Sequence, residues 1–303
     1  MKTPLIFEIK ENSLDDGPGI RSVVFFKGCP LRCVWCHNPE GMRVGVELAF
    51  DARECLACNT CIRACPEGAL SRDNPAFIDR ASCTLCFRCI SDCPSGALSR
   101  VGKDMPVREI LDLVLKDKPF FETSGGGVTL SGGEPTLYMD FLSELLQSLK
   151  AERIHCLLET CGQFDLIRFM TSIYPYVDII YFDFKLLDPQ AHKRFCGITN
   201  TIITENFREL NTRIRTDGKE LLPRVPLVPG ITDTDTNIIA IAAFLTSHKV
   251  SKAKLLPYNP LWPEKCAKVG MSMNTIDESM KKWMASEHVK HCEAIFYDHG
   301  IML

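Results

Sequence analysis

Three cysteines stand close together in residues 28–40, which read GCPLRCVWCHNPE. Cys29, Cys33 and Cys36 have the spacing C-x3-C-x2-C and follow an apolar run, SVVFFK, that predicts a buried strand. A closed zinc site and a structural [4Fe–4S] cluster each use four ligands. Three thiolates on a cubane leave one iron with an open position, which implies a substrate or cofactor ligand. A zinc loop or a set of disulfides is the alternative, and the strand-then-loop context disfavours it.

This loop, with an aromatic residue before its last cysteine, resembles that of radical S-adenosylmethionine (SAM) enzymes, in which SAM chelates the open iron. The flanking stretches DGPGIR, at residues 16–21, and NPE, at residues 38–40, are similar to those of glycyl-radical-enzyme activating enzymes. The resemblance implies that Cys29, Cys33 and Cys36 are catalytic and that reductive cleavage of SAM gives a 5′-deoxyadenosyl radical. That radical would take a hydrogen atom from a glycine Cα of a partner enzyme.

A second cysteine-rich region contains two copies of one pattern, 28 residues apart, each with the form C-x2-C-x2-C-x3-C-P. The pattern matches the run of bacterial two-[4Fe–4S] ferredoxins, in which the fourth cysteine of each copy ligates the other cluster. We therefore define two ligand sets. The Cys55 set is Cys55, Cys58, Cys61 and Cys93, and the Cys65 set is Cys65, Cys83, Cys86 and Cys89. Zinc ions bound by these cysteines are the alternative. The clusters would relay electrons, stabilise the fold or dock a partner, and the sequence leaves these three roles open.

The bulk composition is that of an ordinary globular protein. The 303 residues are 46% hydrophobic and 24% charged, and a net charge of −3 gives no reason to expect nucleic acid or an anionic membrane as partner. We expect no signal peptide and no membrane span. Eleven of the sixteen cysteines lie between Cys29 and Cys93, which argues for metal sites in a reducing cytoplasm rather than for disulfides.

Outside this region, strand and helix patterns alternate, which predicts an α/β fold with a parallel sheet and functional residues at the carboxyl ends of its strands. The predicted strands are 5–9, 22–27, 128–130, 154–158, 178–182, 222–228, 254–256 and 293–297. The predicted helices are 107–118, 138–150, 164–173, 188–195, 205–212, 236–247 and 274–287. The resemblance implies a partial (β/α)6 barrel, similar to a TIM barrel but open, formed by residues 1–46 and 101–303. Residues 47–100 would be an inserted ferredoxin-like domain.

Polar residues follow several of these strands and are candidates for binding SAM. After residues 128–130 comes SGGEP, in which Gly132 and Gly133 allow close backbone approach, and either a backbone carbonyl or the Glu134 carboxylate can accept from an ammonium. The stretch resembles the GGEP motif that receives the SAM amino group. Glu159 and Thr160 follow the next strand, where many activating enzymes carry Asp-Thr.

The remaining strand ends supply further candidates. Asp183 and Lys185 form a D-x-K arrangement in which Lys185, also assigned as catalytic, would pair with the SAM carboxylate and Asp183 would hold a cation or the ribose; a buried structural pair is the alternative. The resemblance also implies SAM contacts for Arg224, in PRVPLVPG, and for Asn259, in LLPYN, and implies that Trp35 packs near the adenine.

These assignments predict three [4Fe–4S] clusters, SAM and, as a further candidate, a monovalent cation. The expected partners are a glycyl radical enzyme and a flavodoxin or ferredoxin reductant, with the protein itself a monomer. Two other functions stay open. One is a radical SAM enzyme that modifies a small molecule or peptide directly, and the other is a non-catalytic iron–sulfur protein that transfers electrons.

Overall fold

A computed structural model of the protein describes residues 3–271 and 278–303. Ten strands are present in these residues. They are β1 (Leu5–Ser13), β2 (Arg21–Phe26), β3 (Glu47–Phe50), β4 (Leu98–Val101), β5 (Lys103–Asp104), β6 (Gly127–Gly132), β7 (His155–Thr160), β8 (Ile179–Asp183), β9 (Glu220–Pro226) and β10 (Lys254–Leu256). Eight of them form one sheet in the order β10-β9-β8-β7-β6-β2-β1-β5.

The sheet is mostly parallel. Neighbouring strands from β2 through β6, β7, β8, β9 and β10 all run in the same direction, and only β1 and β5 pair antiparallel at one edge. Six parallel strands in an unclosed order, within the described residues, agree with the predicted α/β fold. All six carboxyl ends therefore lie at one edge of the sheet, where ligand sites of such folds form.

Eleven α-helices accompany the strands in the described residues. They are α1 (Thr60–Ala64), α2 (Arg88–Ser91), α3 (Val107–Val114), α4 (Lys118–Ser124), α5 (Met139–Ala151), α6 (Leu166–Ser172), α7 (Pro189–Cys196), α8 (Thr201–Asp217), α9 (Asp235–Ser247), α10 (Trp262–Lys268) and α11 (Ser286–Asp298). Leu142, Phe169 and Ile241 are fully buried where α5, α6 and α9 pack on the apolar strands. This packing forms the main core between sheet and helices, as expected where helices connect parallel strands.

The chain from β3 to β4 forms a separate layer. These two strands pair antiparallel as a small sheet of their own, so the segment between them leaves and returns at one place. It contains α1, α2 and a core of its own, which includes Leu48, Leu70, Phe77, Ile78 and Leu98 together with Cys61 and Cys89.

A buried ion pair joins this layer to the large sheet. Lys27, which follows β2 and is fully buried, donates to the Glu47 carboxylate at 2.7 Å and to the carbonyl of Glu40 at 2.5 Å. Arg43 donates to the other oxygen of Glu47 at 2.5 Å. The residue before the first cysteine loop is thereby tied to the first residue of β3.

Two predictions at the carboxyl terminus are wrong. Residues 293–297 are helical, within α11, and not a strand, because Cys292 and Phe296 are buried at helical spacing against α9. The helix predicted over 274–287 is a short 3-10 helix at Glu278–Lys281 followed by a break before α11, and its residues 274–277 lie outside the described part of the chain. Among the described residues, none of the helices has the length and apolar character to cross a membrane.

Candidate active site

The first cysteine loop is held open against the carboxyl edge of the sheet by backbone hydrogen bonds. Gly28 adopts φ 101°, which favours glycine, and its N–H donates to the carbonyl of Gly41 at 2.7 Å. The N–H groups of Arg32 and Val34 donate to the last turn of α7 at 2.8 and 3.0 Å. Backbone hydrogen bonds to Gly41 and to α7 therefore fix the conformation of the loop.

All three cysteines of this loop line one cavity of about 240 Å³, which we call the central cavity. Its walls come from the loop and from the ends of several parallel strands. The predicted site residues on these walls are Cys29, Cys33, Trp35, Cys36, Gly132, Gly133, Glu159, Thr160, Asp183, Lys185 and Arg224. Eleven of the thirteen residues predicted for the SAM site therefore meet at one place.

The donor set of the central cavity fits an iron–sulfur cluster. A cubane spreads its thiolates over separate irons. Three thiols that line one cavity together with Lys185 suit a cluster that keeps one iron for another ligand.

The glycines after β6 lie against the backbone of neighbouring segments. The N–H of Gly133 donates to the carbonyl of Phe26 at 2.7 Å, and Gly132 has φ 113°. A Cβ on Gly132 would overlap the backbone of Phe26. A Cβ on Gly133 would overlap the carbonyls of Gly28 and Gly41, so Gly132 allows the approach of β2 and Gly133 that of the first cysteine loop. Both glycines also line the central cavity.

The Glu134 carboxylate has four hydrogen bonds within the chain. It accepts from the N–H and hydroxyl of Thr136 at 3.2 and 2.7 Å, from the Thr160 hydroxyl at 2.9 Å and from the Cys161 N–H at 2.7 Å. The residue is fully buried and is not part of the cavity wall. Of the two ammonium acceptors that the sequence leaves open, the geometry favours the backbone carbonyls, because this carboxylate is occupied in fixing the ends of β6 and β7.

Four charged side chains form a network on the floor of the central cavity. Arg224 donates to Glu159 at 2.5 Å and to Asp183 at 2.9 Å. Lys185 lies 3.4 Å from the other oxygen of Asp183. These side chains are between 11% and 23% exposed, so loss of one partner would leave a largely buried charge unpaired, which is destabilising. Two cations and two carboxylates leave the network neutral.

The pKa values in this network follow from the pairing. Burial alone would lower the pKa of Lys185, but Asp183 and the nearby thiols raise it above its ordinary value. Burial would likewise lower the pKa of Arg224, and the carboxylates of Asp183 and Glu159 raise it. Burial would raise the pKa of Asp183, whereas Arg224 and Lys185 lower it. All three groups therefore carry their charges over the physiological pH range.

Asn259 is the other predicted residue that is not on the wall of the central cavity. It is half-buried, and its Oδ1 accepts from the N–H of Leu261 at 2.9 Å. Leu256, at the end of β10, lines the cavity in that region. The contact of Asn259 with adenosine therefore stays a prediction.

The sequence reasoning missed several polar residues of the central cavity. The cavity is also lined by His37, Asn38, Ser131 and Cys161, which were not predicted as site residues. Ser131 donates to Glu159 at 2.6 Å, and the Cys161 thiol lies within hydrogen-bonding reach of the Cys29 thiol. Both stand beside predicted residues, Ser131 within SGGEP and Cys161 directly after Thr160. Their position at the ends of β6 and β7 was the available signal.

Residues 47–100, the expected inserted segment that we call the insert, bring their cysteines together as two groups drawn from both repeats. A small cavity is lined by the four cysteines of the Cys65 set, together with Glu67. Burial and the charge of Cys93 raise the pKa of Cys61, and Cys55 and Cys58 act in the same direction. The four thiols of the Cys55 set therefore lie near one another. Each group thus combines three cysteines of one copy with the fourth of the other.

The backbone around these cysteines repeats as closely as the sequence does. Ala57 and Asn59 have φ values of 57° and 59°, and their counterparts 28 residues later, Leu85 and Phe87, have 55° and 60°. Residues in the left-handed region can turn neighbouring N–H groups towards one point, as in the anion-binding concavities found at Fe–S sites. The insert therefore fits clusters at the backbone as well as by its thiols.

Comparisons with known proteins agree with this site. The sequence pattern of the radical SAM superfamily matches residues 23–240. An isethionate sulfite-lyase activating enzyme of Nitratidesulfovibrio vulgaris is 42% identical over 87% of this chain and 86% of its own. A trans-4-hydroxy-L-proline dehydratase activating enzyme of Clostridioides difficile is 37% identical over 88% of each.

Among solved structures, a radical SAM methyltransferase of Sphaerobacter thermophilus covers 99% of this chain and 76% of its own, with a TM-score of 0.53 and 12% identity, and so supports the fold alone. The sequence matches and the cysteine loop at the carboxyl edge of the sheet lead to one conclusion. The chain belongs to the radical SAM superfamily and, within it, to the activating enzymes of glycyl radical enzymes.

Proposed function

We propose that this protein uses SAM and a [4Fe–4S] cluster at Cys29, Cys33 and Cys36 to generate a glycyl radical on a partner enzyme. The observation that carries the proposal is the central cavity, in which these three thiols face polar groups from four neighbouring parallel strands. When bound and reduced, the cluster supplies one electron to SAM, whose cleavage gives the 5′-deoxyadenosyl radical that takes hydrogen from glycine.

The residues of the chain would bind and orient SAM. The carbonyls next to Gly132 and Gly133 would accept from its ammonium group, and the Lys185 ammonium would pair with its carboxylate. The contact of Lys185 with Asp183, at 3.4 Å, is long for a charged hydrogen bond. Lys185 lines the cavity, where the SAM carboxylate would be a second anion for its ammonium group.

The rest of the site fixes these groups in place. Arg224 holds Glu159 and Asp183 at the ends of β7 and β8, so that neither carboxylate can turn away from the cavity. Trp35 provides an apolar wall for the adenine, while Thr160 acts through Glu134, which accepts its hydroxyl. Asn259 would contact the adenosine. A monovalent cation would share the carboxylates that Arg224 already holds.

We propose further that residues 47–100 form an inserted domain with two additional [4Fe–4S] clusters, one at the Cys55 set and one at the Cys65 set, between barrel segments 1–46 and 101–303. Each set has four cysteines, so neither cluster has an open iron for a substrate. This favours electron relay, or a structural role, over direct binding of a small molecule. Relay fits delivery of single electrons from a flavodoxin or ferredoxin.

The proposed partner is a glycyl radical enzyme, bound transiently by a monomer. Relatives named for a sulfite-lyase, a dehydratase and a synthase match this chain at 42%, 37% and 40% identity. The proposal is therefore for the shared reaction at a glycine rather than for one partner. A cytoplasmic location fits, because thiolate ligands need a reducing compartment.

The test is an anaerobic EPR experiment. The reconstituted protein is mixed with SAM, a low-potential reductant and a panel of glycyl radical enzymes of the lyase, dehydratase and synthase types. We expect a doublet on one partner that collapses when its glycine is α-deuterated, and no doublet with the Cys33→Ala variant. Release of 5′-deoxyadenosine without a doublet on any partner would favour a radical SAM enzyme that acts on a small molecule or peptide. Intact clusters with neither signal would leave only an electron-transfer protein and would overturn the proposal.

A further inference from the structure

We propose that the two clusters of the insert differ in reduction potential and that the cluster at the Cys55 set is the more readily reduced. The inference rests on the proposed function, because it takes both sets to hold [4Fe–4S] clusters. The sets arise from two copies of one 28-residue repeat, so each side chain near one set has a counterpart 28 positions away at the other. Differences between counterparts therefore isolate what distinguishes the clusters.

The first difference lies in two arginines. Arg72 approaches the Cys55 sulfur to 3.8 Å, and its Nε donates to the side chain of Asn59 at 2.9 Å. Its counterpart is Arg100, and the counterpart of Asn59 is Phe87. The Arg100 guanidinium lies 5.0 Å from the centre of the Phe87 ring.

The Nε of Arg100 donates to the carbonyl of Gly102 at 3.0 Å, and within residues 3–271 and 278–303 this arginine has no hydrogen bond to a cysteine sulfur. Asn59 thus aims one arginine at a cluster ligand, while Phe87 and Gly102 hold the equivalent arginine elsewhere. The exchange of asparagine for phenylalanine in the repeat thus accompanies a change in what each arginine contacts.

The second difference follows the Cys-Pro pairs. Ser95 comes two residues after Cys93, and its hydroxyl lies 3.7 Å from that sulfur. A cluster-bound thiolate has no proton, so the hydroxyl must be the donor. The counterpart of Ser95 is Glu67, which lines the cavity of the Cys65 set. One set therefore has a neutral donor where the other has a carboxylate.

The hydrogen bond to the Cys65 sulfur comes from the backbone. It accepts from the N–H of Ala69 at 3.3 Å, and within residues 3–271 and 278–303 the sulfurs of the Cys65 set receive no side-chain hydrogen bond. Cys93 likewise accepts from the backbone of Ala97, the counterpart of Ala69. This backbone donor is thus shared by the two sets, whereas the side chains of Arg72, Ser95 and Glu67 differ from their counterparts.

These contacts act on the charge that the clusters gain on reduction. A cluster becomes more negative when it takes up an electron, so a cation and hydrogen bonds at its sulfurs favour the reduced form, and a nearby carboxylate disfavours it. Arg72 and Ser95 therefore raise the potential at the Cys55 set, while Glu67 lowers it at the Cys65 set. An electron on the cluster at the Cys65 set therefore passes to the cluster at the Cys55 set. The former is oxidised and the latter is reduced.

The experiment is a potentiometric titration followed by EPR. To remove the signal of the central cavity, Cys29→Ala, Cys33→Ala and Cys36→Ala are combined in the full chain, and this parent is compared with the same chain carrying Arg72→Gln, Arg100→Gln or Glu67→Gln. Iron and sulfide are measured in every sample, with about eight irons per chain expected for two clusters. Arg72 and Arg100 are both exposed, which makes them a matched pair.

We expect two midpoint potentials in the parent. Arg72→Gln should lower the higher one, with the ratio of reduced to oxidised cluster at a fixed potential falling by about tenfold, or about 59 mV for a one-electron couple. Glu67→Gln should raise the lower one, and Arg100→Gln should move neither. Equal potentials in the parent, or equal shifts for Arg72→Gln and Arg100→Gln, would overturn the inference. A parent with about four irons would instead overturn the proposed pair of clusters.

Discussion

The two cysteine-rich regions are built on opposite principles. In the insert, the eight cysteines lie within 39 residues of chain, on a repeated backbone, and the segment has its own core and its own small sheet. In the central cavity, three cysteines from one loop face side chains that come from strands as distant in sequence as β6 and β9. The insert depends on local conformation, whereas the central cavity depends on the register of the whole sheet. Changes in the two regions should therefore have different consequences.

The largest effect should come from removing one cysteine of the central cavity while the cysteines of the insert stay intact. Cys33→Ala removes one of three ligands of the central cluster, so we expect SAM cleavage to be abolished while about eight of twelve irons remain bound in the insert. Iron, sulfide and 5′-deoxyadenosine are measured on the same sample. Cys292→Ala, at a buried cysteine of α11, is the control and should keep all three clusters. Complete loss of iron from Cys33→Ala would show that the regions are not independent.

The same contrast explains what could be predicted from the sequence. The cysteine spacings and the repeat are local and led to the proposed ligand sets, and the local alternation of strand and helix patterns led to the parallel sheet. The pairing of Arg224 with Glu159 and the use of the Glu134 carboxylate inside the chain depend on which strands become neighbours, and no local pattern contains that information. The strand predicted at 293–297 failed for a related reason, because burial against α9 selects helical spacing there.

The second prediction tests the dependence of the central cavity on the sheet. Arg224→Gln leaves Glu159 and Asp183 buried without their shared cation, so we expect a loss of about 3–5 kcal/mol in the free energy of unfolding and a loss of SAM binding. Denaturant unfolding and SAM titration measure the two effects. Arg213→Gln, at a pair that is 60% exposed on the arginine side, should cost less than about 1 kcal/mol. Comparable losses in the two variants would contradict the role assigned to the network.

The third prediction concerns the junction. Lys27→Met removes a buried ammonium from between the cysteine loop and β3, but Glu47 keeps Arg43 as a partner at 2.5 Å. The expected cost is therefore smaller, about 1–3 kcal/mol in the free energy of unfolding. Because Lys27 contacts both regions, we expect faster loss of iron from the central cluster and the insert alike. Glu40→Gln is the control. Lys27 donates to the backbone carbonyl of Glu40, which this variant keeps, so iron retention should be unchanged. Iron loss confined to one region would argue against a shared junction.

The smallest effect should appear within the repeat itself. Ala57 has φ 57°, a conformation that costs an L-residue about 1–2 kcal/mol and glycine little. Ala57→Gly should therefore keep both insert clusters, with a change in stability of at most about 1 kcal/mol, whereas Ala57→Val, with a β-branched side chain, should release iron from the Cys55 set first. Leu85→Gly and Leu85→Val, at the counterpart position, should act in the same way on the Cys65 set.

Iron release and SAM cleavage are followed together, because a locally determined insert should lose its own cluster while the central cavity still binds SAM. If the valine variants lose both insert clusters at once, the two sets share one folding unit, and the crossed exchange of Cys65 and Cys93 is then the physical link between them.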